Sequence, residues 1–240
     1  MNKDYIGCEP EKVLKEVFGY DSFRLLQRKI ISNVLNKKDT LAIMPTGGGK
    51  SLCYQIPALI FDGITVVVSP LISLMQDQVD SLSASGVNAV FLNSTLDWDK
   101  YLESMNSIRR GETKILYVSP EGLSSPKIQD LLHDSRVKVS CITIDEAHCV
   151  SEWGHDFRPE FLEISAVRKQ FPNAVCLALT ATATAQVRAD IIQNLALKEP
   201  EVEISSFDRA NIFLSVARKN DAVSQVVDCI RRHWDESGII

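Results

Sequence analysis

Residues Met44–Gln55 read MPTGGGKSLCYQ: three consecutive glycines, then Lys50 and Ser51, then an apolar stretch. A strand that turns through such a loop into a helix leaves successive backbone N–H groups pointing inward. The helix N-terminus adds partial positive charge and Lys50 a full one. That combination predicts a phosphate cradle made by Thr46, Gly47, Gly48, Gly49, Lys50 and Ser51, with the Ser51 hydroxyl able to ligate Mg²⁺. Met44 stands where a phosphate loop ordinarily carries its outer glycine. A glycine-rich turn that holds nothing is the plainer alternative, and the flanking strand and helix favour the cradle.

Working outward, branched apolar runs recur at Thr40–Met44, Ile64–Ser69, Asn88–Asn93, Lys114–Ser119, Val139–Ile144 and Ala174–Leu179. They are nearly continuous rather than alternating, as in strands covered on both faces of a parallel sheet. Segments of helical period lie between them, at Phe23–Leu35, Ser51–Phe61, Leu71–Leu82 and Phe161–Phe171. Alternating strands and helices predict an α/β fold with a doubly wound, mainly parallel sheet. Ligands of such folds gather at the carboxyl ends of the strands. Asp145 and Glu146 emerge at one such end, after Ile144. One carboxylate there can hold Mg²⁺, and a second can orient or deprotonate the water that attacks a γ-phosphate. With the phosphate loop, the acid pair predicts hydrolysis of a nucleoside triphosphate; for either acid alone an ordinary charged turn is the alternative.

The 240 residues are 45% apolar and 24% charged, with a formal net charge of -5, the make-up of an ordinary globular protein with a substantial core. Mild acidity argues against a surface that grips phosphate backbones everywhere and leaves room for a local groove. Arg109-Arg110 and Arg231-Arg232 read as solvated helix ends. Six cysteines without CxxC spacing argue against a zinc site, and Cys141 and Cys176, inside apolar runs, read as small buried hydrophobes. With no long apolar run and no signal-like start, the expectation is a cytoplasmic protein without membrane contact, nucleoid-associated in a bacterium. The alternation stops after about Leu197, where a turn and an extended run follow.

MPTGGGKS, the stretch SPLISLMQDQV at Ser69–Val79 and DEAH at Asp145–His148 resemble motifs I, Ia and II of superfamily 2 helicases. SEWGHDFRPEF at Ser151–Phe161 resembles the aromatic-rich loop of RecQ-family ATP-dependent DNA helicases. FGYDSFRLLQ at Phe18–Gln27 resembles that family's nucleotide-recognition motif, and LTATAT at Leu179–Thr184 resembles motif III. The resemblance implies a RecA-like P-loop domain at 39–204, a helical nucleotide-recognition region at 1–38, and at 205–240 a linker with the beginning of a second, truncated RecA-like domain. It also implies ATP and Mg²⁺ as cofactors, single-stranded DNA and unwinding junctions as partners, and 3′ to 5′ unwinding in DNA repair and recombination.

Residue by residue, the resemblance implies that Tyr20 and Arg24 stack on the faces of adenine while Gln27 reads its edge. Lys50 and Ser51 take the phosphates and metal, Asp145 the metal, Glu146 the water, and His148 couples the nucleotide site to DNA. Trp153, His155, Phe157 and Arg158 sense unpaired bases and phosphates, and Asn93 and Ser119 meet the strand backbone. The bland counterparts are a capped helix histidine for His148, core packing for Trp153, Phe157 and Phe161, and helix caps for Asn93, Ser94 and Ser119. Leu25 and Ala210 stand where the family often has proline, a change expected to loosen a turn by about 0.4 to 1 kcal/mol. The family's second motor domain, with an arginine worth roughly 10³ to 10⁵ in rate, does not appear before Ile240, so poor turnover is expected of these residues alone. Rival readings are a DEAD/DEAH-type RNA helicase, a non-catalytic ATP- or DNA-binding module, and a metabolic P-loop kinase.

Overall fold

The computed structural model describes residues 5–93, 96–154, 156–206, 212–213 and 215–239. The chain divides into two units, Met1–Phe207 and Asp208–Ile240. The first is built on seven strands: β1 Thr40–Ile43, β2 Ile64–Val68, β3 Ala89–Leu92, β4 Ile115–Val118, β5 Val139–Ile144, β6 Val175–Thr180 and β7 Glu201–Ile204. They form one sheet in the order β3-β4-β2-β5-β6-β1-β7, with every neighbouring pair parallel. The six apolar runs are strands, each within one residue of its expected bounds. Their continuity has the expected cause, since β1, β2, β4 and β6 are buried along their whole length.

Alternate residues serve opposite faces of the sheet. Leu41 and Ile43 join one core cluster, Ala42 and Met44 the other. The second cluster is closed by α1 Pro10–Phe18, α2 Gln27–Leu35, α3 Leu52–Ile60 and α4 Ile72–Ala84. The first is closed by α5 Trp98–Arg109, α6 Pro120–Leu123, α7 Pro126–Leu132, α8 Ile164–Lys169 and α9 Ala185–Asn194. Each fully covered Leu, Ile or Val contributes about 1.5 to 3 kcal/mol, and together they hold the strand ends in register.

The extended run after Leu197 is β7, an edge strand whose acids mask it in the sequence. Glu203 is buried against the Lys29 ammonium at 2.9 Å and the Asn33 amide at 3.1 Å, while Glu201 meets Lys38 at 2.7 Å. An inward-facing, neutralised charge is tolerable on an edge and discourages further strand addition.

Two helical segments begin later than their periodicity suggests. In place of a helix from Phe23, α2 starts at Gln27 because Leu25 adopts φ 47°, in the left-handed region. A proline, locked near φ -65°, cannot take that conformation, so the leucine changes the path of this turn rather than merely loosening it. The segment from Phe161 opens as a 3₁₀ turn, Pro159–Glu163, before α8.

At the amino end of the sheet a buried ion pair ties distant segments together. Asp39 accepts from the Cys176 amide at 2.9 Å, the Lys198 amide at 2.8 Å and the Arg168 guanidinium, which also donates to the carbonyls of Leu195, at 2.9 Å, and Ala196. In the second unit α10 spans Ala222–Arg232 and is capped by Asp221, whose carboxylate accepts from the amides of Val223 and Ser224.

Candidate functional site

The loop after β1 needs its glycines for two separate reasons. Gly47 and Gly49 have φ 78° and 74°, where a side chain is strained. At Gly48 a Cβ would lie 2.9 Å from the Pro45 carbonyl oxygen, so the backbone folds on itself more tightly than a larger residue allows. Thr46 is exposed and Lys50 half-buried, its ammonium donating to the Met44 carbonyl at 3.4 Å. Ser51 enters the first turn of α3.

Gln27 is 2% exposed and its carboxamide is turned to this loop, donating to the carbonyls of Gly49 at 3.0 Å and Gly48 at 3.4 Å while accepting from the Arg24 amide at 2.8 Å. Above it the Arg24 guanidinium lies 5.9 Å from the centre of the half-exposed Tyr20 ring.

The acid pair sits two strands away across β6. Asp145 donates its amide to Val68 and accepts the Glu146 amide at 3.0 Å. Burial pushes the Asp145 carboxyl up to about 6, with the Glu146 carboxylate adding to the rise and the Glu146 amide, Lys50 and His148 opposing it. Glu146 itself is at φ 49°, ψ 45°, a conformation that costs a non-glycine residue about 1 to 2 kcal/mol. That bend turns the chain sharply after Asp145.

His148 is buried, not a surface cap. Its Nδ1 lies 2.9 Å from Thr180 Oγ1 and 3.3 Å from Glu146 Oε2. With the Thr180 hydroxyl hydrogen given to the Thr182 carbonyl at 3.1 Å, Thr180 Oγ1 is placed to accept from the Nδ1–H tautomer of His148, a proton assigned from these partners. The DEAH segment and the LTATAT segment are thereby joined. Thr180 has no role in the sequence reading, although it lies within a motif noticed there; its partner 32 residues away is a product of the β5–β6 pairing.

In the loop that follows, Phe161 is wholly buried core, Phe157 half-buried, and Trp153 76% exposed. Gly154 lets the turn lie against the preceding segment: a Cβ there would fall 2.5 Å from the His148 carbonyl oxygen. Arg158 pairs with Asp156 at 3.1 Å and reaches the Pro70 carbonyl at 3.3 Å, linking this loop to the segment after β2. His155, Ser94 and Ala210 lie outside the described residues. Asn93 follows β3, and Ser119 caps α6, its Oγ accepting from the Gly122 amide at 3.1 Å.

This arrangement fits a nucleoside triphosphate with magnesium. The loop at Gly48 is folded too tightly for a side chain, and an oxygen set of a carboxylate plus a hydroxyl suits a hard cation completed by phosphate and water. Ser51 and Asp145 would hold the ion.

Residues 24–191 match the DEAD/DEAH box helicase family. The chain is similar to the ATP-dependent DNA helicase RecQ of Haemophilus influenzae, with 48% identity over 95% of this chain and 36% of that protein. It is 40% identical to RecQ of Bacillus subtilis, over 96% of this chain and 39% of that protein. It thus spans a little over a third of the length of these relatives. Among solved structures it resembles a hypothetical ATP-dependent RNA helicase from Sulfolobus tokodaii (22% identity, TM-score 0.61, 85% of this chain and 57% of that one). The DEAD-box helicase Mss116 bound to ssRNA gives 19%, 0.65, 85% and 44%. At these identities the likeness is one of fold, that of RecA-like helicase domains.

Proposed function

The chain belongs to the DEAD/DEAH box helicase family, and on that premise we propose that it is the nucleotide-binding motor domain of a RecQ-type, 3′ to 5′ ATP-dependent DNA helicase acting in repair and recombination. The observation that carries this reading is the convergence of the Lys50 loop, the Asp145–Glu146 pair and the His148–Thr180 link at one end of the sheet. The aromatic turn lies against the His148 backbone through Gly154.

Binding begins with Tyr20 and Arg24 opening around the base and with Gln27, beside the loop, reading the edge of the base. The Lys50 ammonium leaves the Met44 carbonyl for the phosphates. Magnesium, when bound, supplies charge neutralisation at the phosphate oxygens. Glu146, held at a strained bend beside His148, orients the water and accepts its proton. A change in how Glu146 shares the Nδ1–H of His148 alters the bond to Thr180 and is felt by the turn carrying Trp153, which is the route by which strand contact and hydrolysis communicate. The residues of a second RecA-like domain complete the site.

Calorimetric titration with MgATP tests the nucleotide half: Lys50→Ala is expected to weaken binding more than about tenfold, a loss on the scale of a charge-assisted hydrogen bond. Unchanged affinity would sink it. The strand half is tested by ATP hydrolysis with the second motor domain present, where single-stranded DNA is expected to stimulate more strongly than RNA. The reverse order would assign the domain to RNA.

A further inference from the structure

Beyond the motifs discussed so far, the carboxyl edge of the sheet carries an aromatic feature of its own. Trp98 and Tyr101, one helical turn apart at the start of α5, are stacked with ring centres 5.9 Å apart and planes 5° from parallel. The Lys127 ammonium from α7 stands 5.0 Å from the Trp98 ring and 5.9 Å from the Tyr101 ring. These three side chains, with Asn93, Gly122 and Ser125, border a cleft of about 370 Å³. Trp98 is 56% exposed, although burying its indole would favour folding. Among the described residues lining the cleft, Lys127 is the only charged one; Asp97 and Asp99 flank Trp98 in sequence without lining it.

We propose that this cleft is a stacking subsite for an unpaired base of single-stranded DNA, with Lys127 meeting an adjacent phosphate. The proposal rests on the DNA-motor reading above and extends it to residues outside the helicase motifs. The occupant follows from the chemistry: an exposed, flat indole beside a lone cation matches a nucleotide, which offers a π-face and a negative charge within one unit. Hydroxyl and backbone groups of Ser125 and Gly122 supply polar contacts without choosing among bases. Nor does the site compete for ATP, because it adjoins β3, five strand positions from β1 in the sheet order, a separation of about 24 Å at about 4.8 Å per strand. The Lys127 contact with the rings is at an exposed place and readily rearranged.

Fluorescence anisotropy of the full 240-residue chain with labelled oligothymidylate and with an abasic strand of equal length tests the subsite. Trp98→Ala is expected to weaken the oligothymidylate about 5- to 30-fold and to leave the abasic strand within about twofold, whereas Trp98→Phe retains most of the affinity. Lys127→Ala is expected to weaken both strands and to reduce the salt slope by about 0.7. Circular dichroism and MgATP titration establish that each variant is folded. If wild type binds oligothymidylate and Trp98→Ala binds it equally, or loses the abasic strand to the same degree, the subsite is wrong and the motor reading stands. If wild type binds neither strand, both fail.

Discussion

Two aspartates occupy opposite ends of one sheet. Asp39, just before β1, accepts three hydrogen bonds and faces a buried guanidinium. Asp145, just after β5, accepts the neighbouring Glu146 amide, stands beside a second carboxylate, and has its carboxyl pushed up to about 6. The amino end is electrostatically closed; the carboxyl end holds its acid at a cost to folding. Such a cost is expected where a ligand, rather than the protein, supplies the compensating charge.

Breaking the closed end gives the largest effect. Asp39→Ala leaves Arg168 buried without its counter-charge, and about 3 to 5 kcal/mol of stability is expected to go, read as a fall in the urea midpoint. A loss below about 1 kcal/mol would mean that the pair is no staple. At the open end the sign reverses. The Asp145 carboxyl sits near 6 against an ordinary 3.8. Its contribution to stability is therefore full below about pH 4 and is lost as pH rises through 6. Asp145→Asn is expected to stabilise the chain by about 1 to 2 kcal/mol at pH 7, a figure discounted for partial exposure. The gain should disappear near pH 4, while magnesium-dependent ATP binding is lost. Denaturant titrations at the two pH values check both signs.

The smallest expected effect separates strain from chemistry. Glu146 and Ala196 share φ 49°, one at each end. Glycine at either position relieves the conformation, by about 0.5 to 1 kcal/mol after the added freedom of the unfolded chain is counted. Ala196→Gly should leave nucleotide turnover untouched, and Glu146→Gly should abolish it at equal or better stability. If both variants hydrolyse ATP normally in the presence of the second motor domain, the strained bend has no catalytic purpose.

How much of this was legible depended on whether the signal was local. The six central strands are visible because burial on both faces demands unbroken apolar runs, and the glycine loop because its conformation admits little else. β7 hides because an edge strand can carry Glu201 and Glu203 if lysines lie opposite, and those lysines are more than 160 residues away in sequence. The site residues divide in the same way. Lys50, Asp145 and Glu146 announce themselves by their places after strands, whereas the bond from His148 to Thr180 and the reach of Arg158 to Pro70 exist only once β2, β5 and β6 are side by side. Trp98 and Tyr101 were available as a pair spaced three apart in WDKY, but that spacing equally suits packing, and only their exposure beside Lys127 distinguishes the two. Leu25 could not be read at all: its sign of φ is set by the turn that Gln27 stitches to the loop.

The order of the strands also governs when the phosphate loop can come into being. Thr40 of β1 aligns with Leu177 of β6 and Glu201 of β7, so both edges of the strand that launches the loop wait for segments translated more than 130 residues later. At about 5 to 20 residues per second, a ribosome leaves β1 without neighbours for roughly 7 to 30 s. During that interval an apolar, unpaired ribbon is on offer to any chaperone or nascent neighbour, and the strand that launches the glycine loop is flanked on both edges only when the last strand of the sheet has formed.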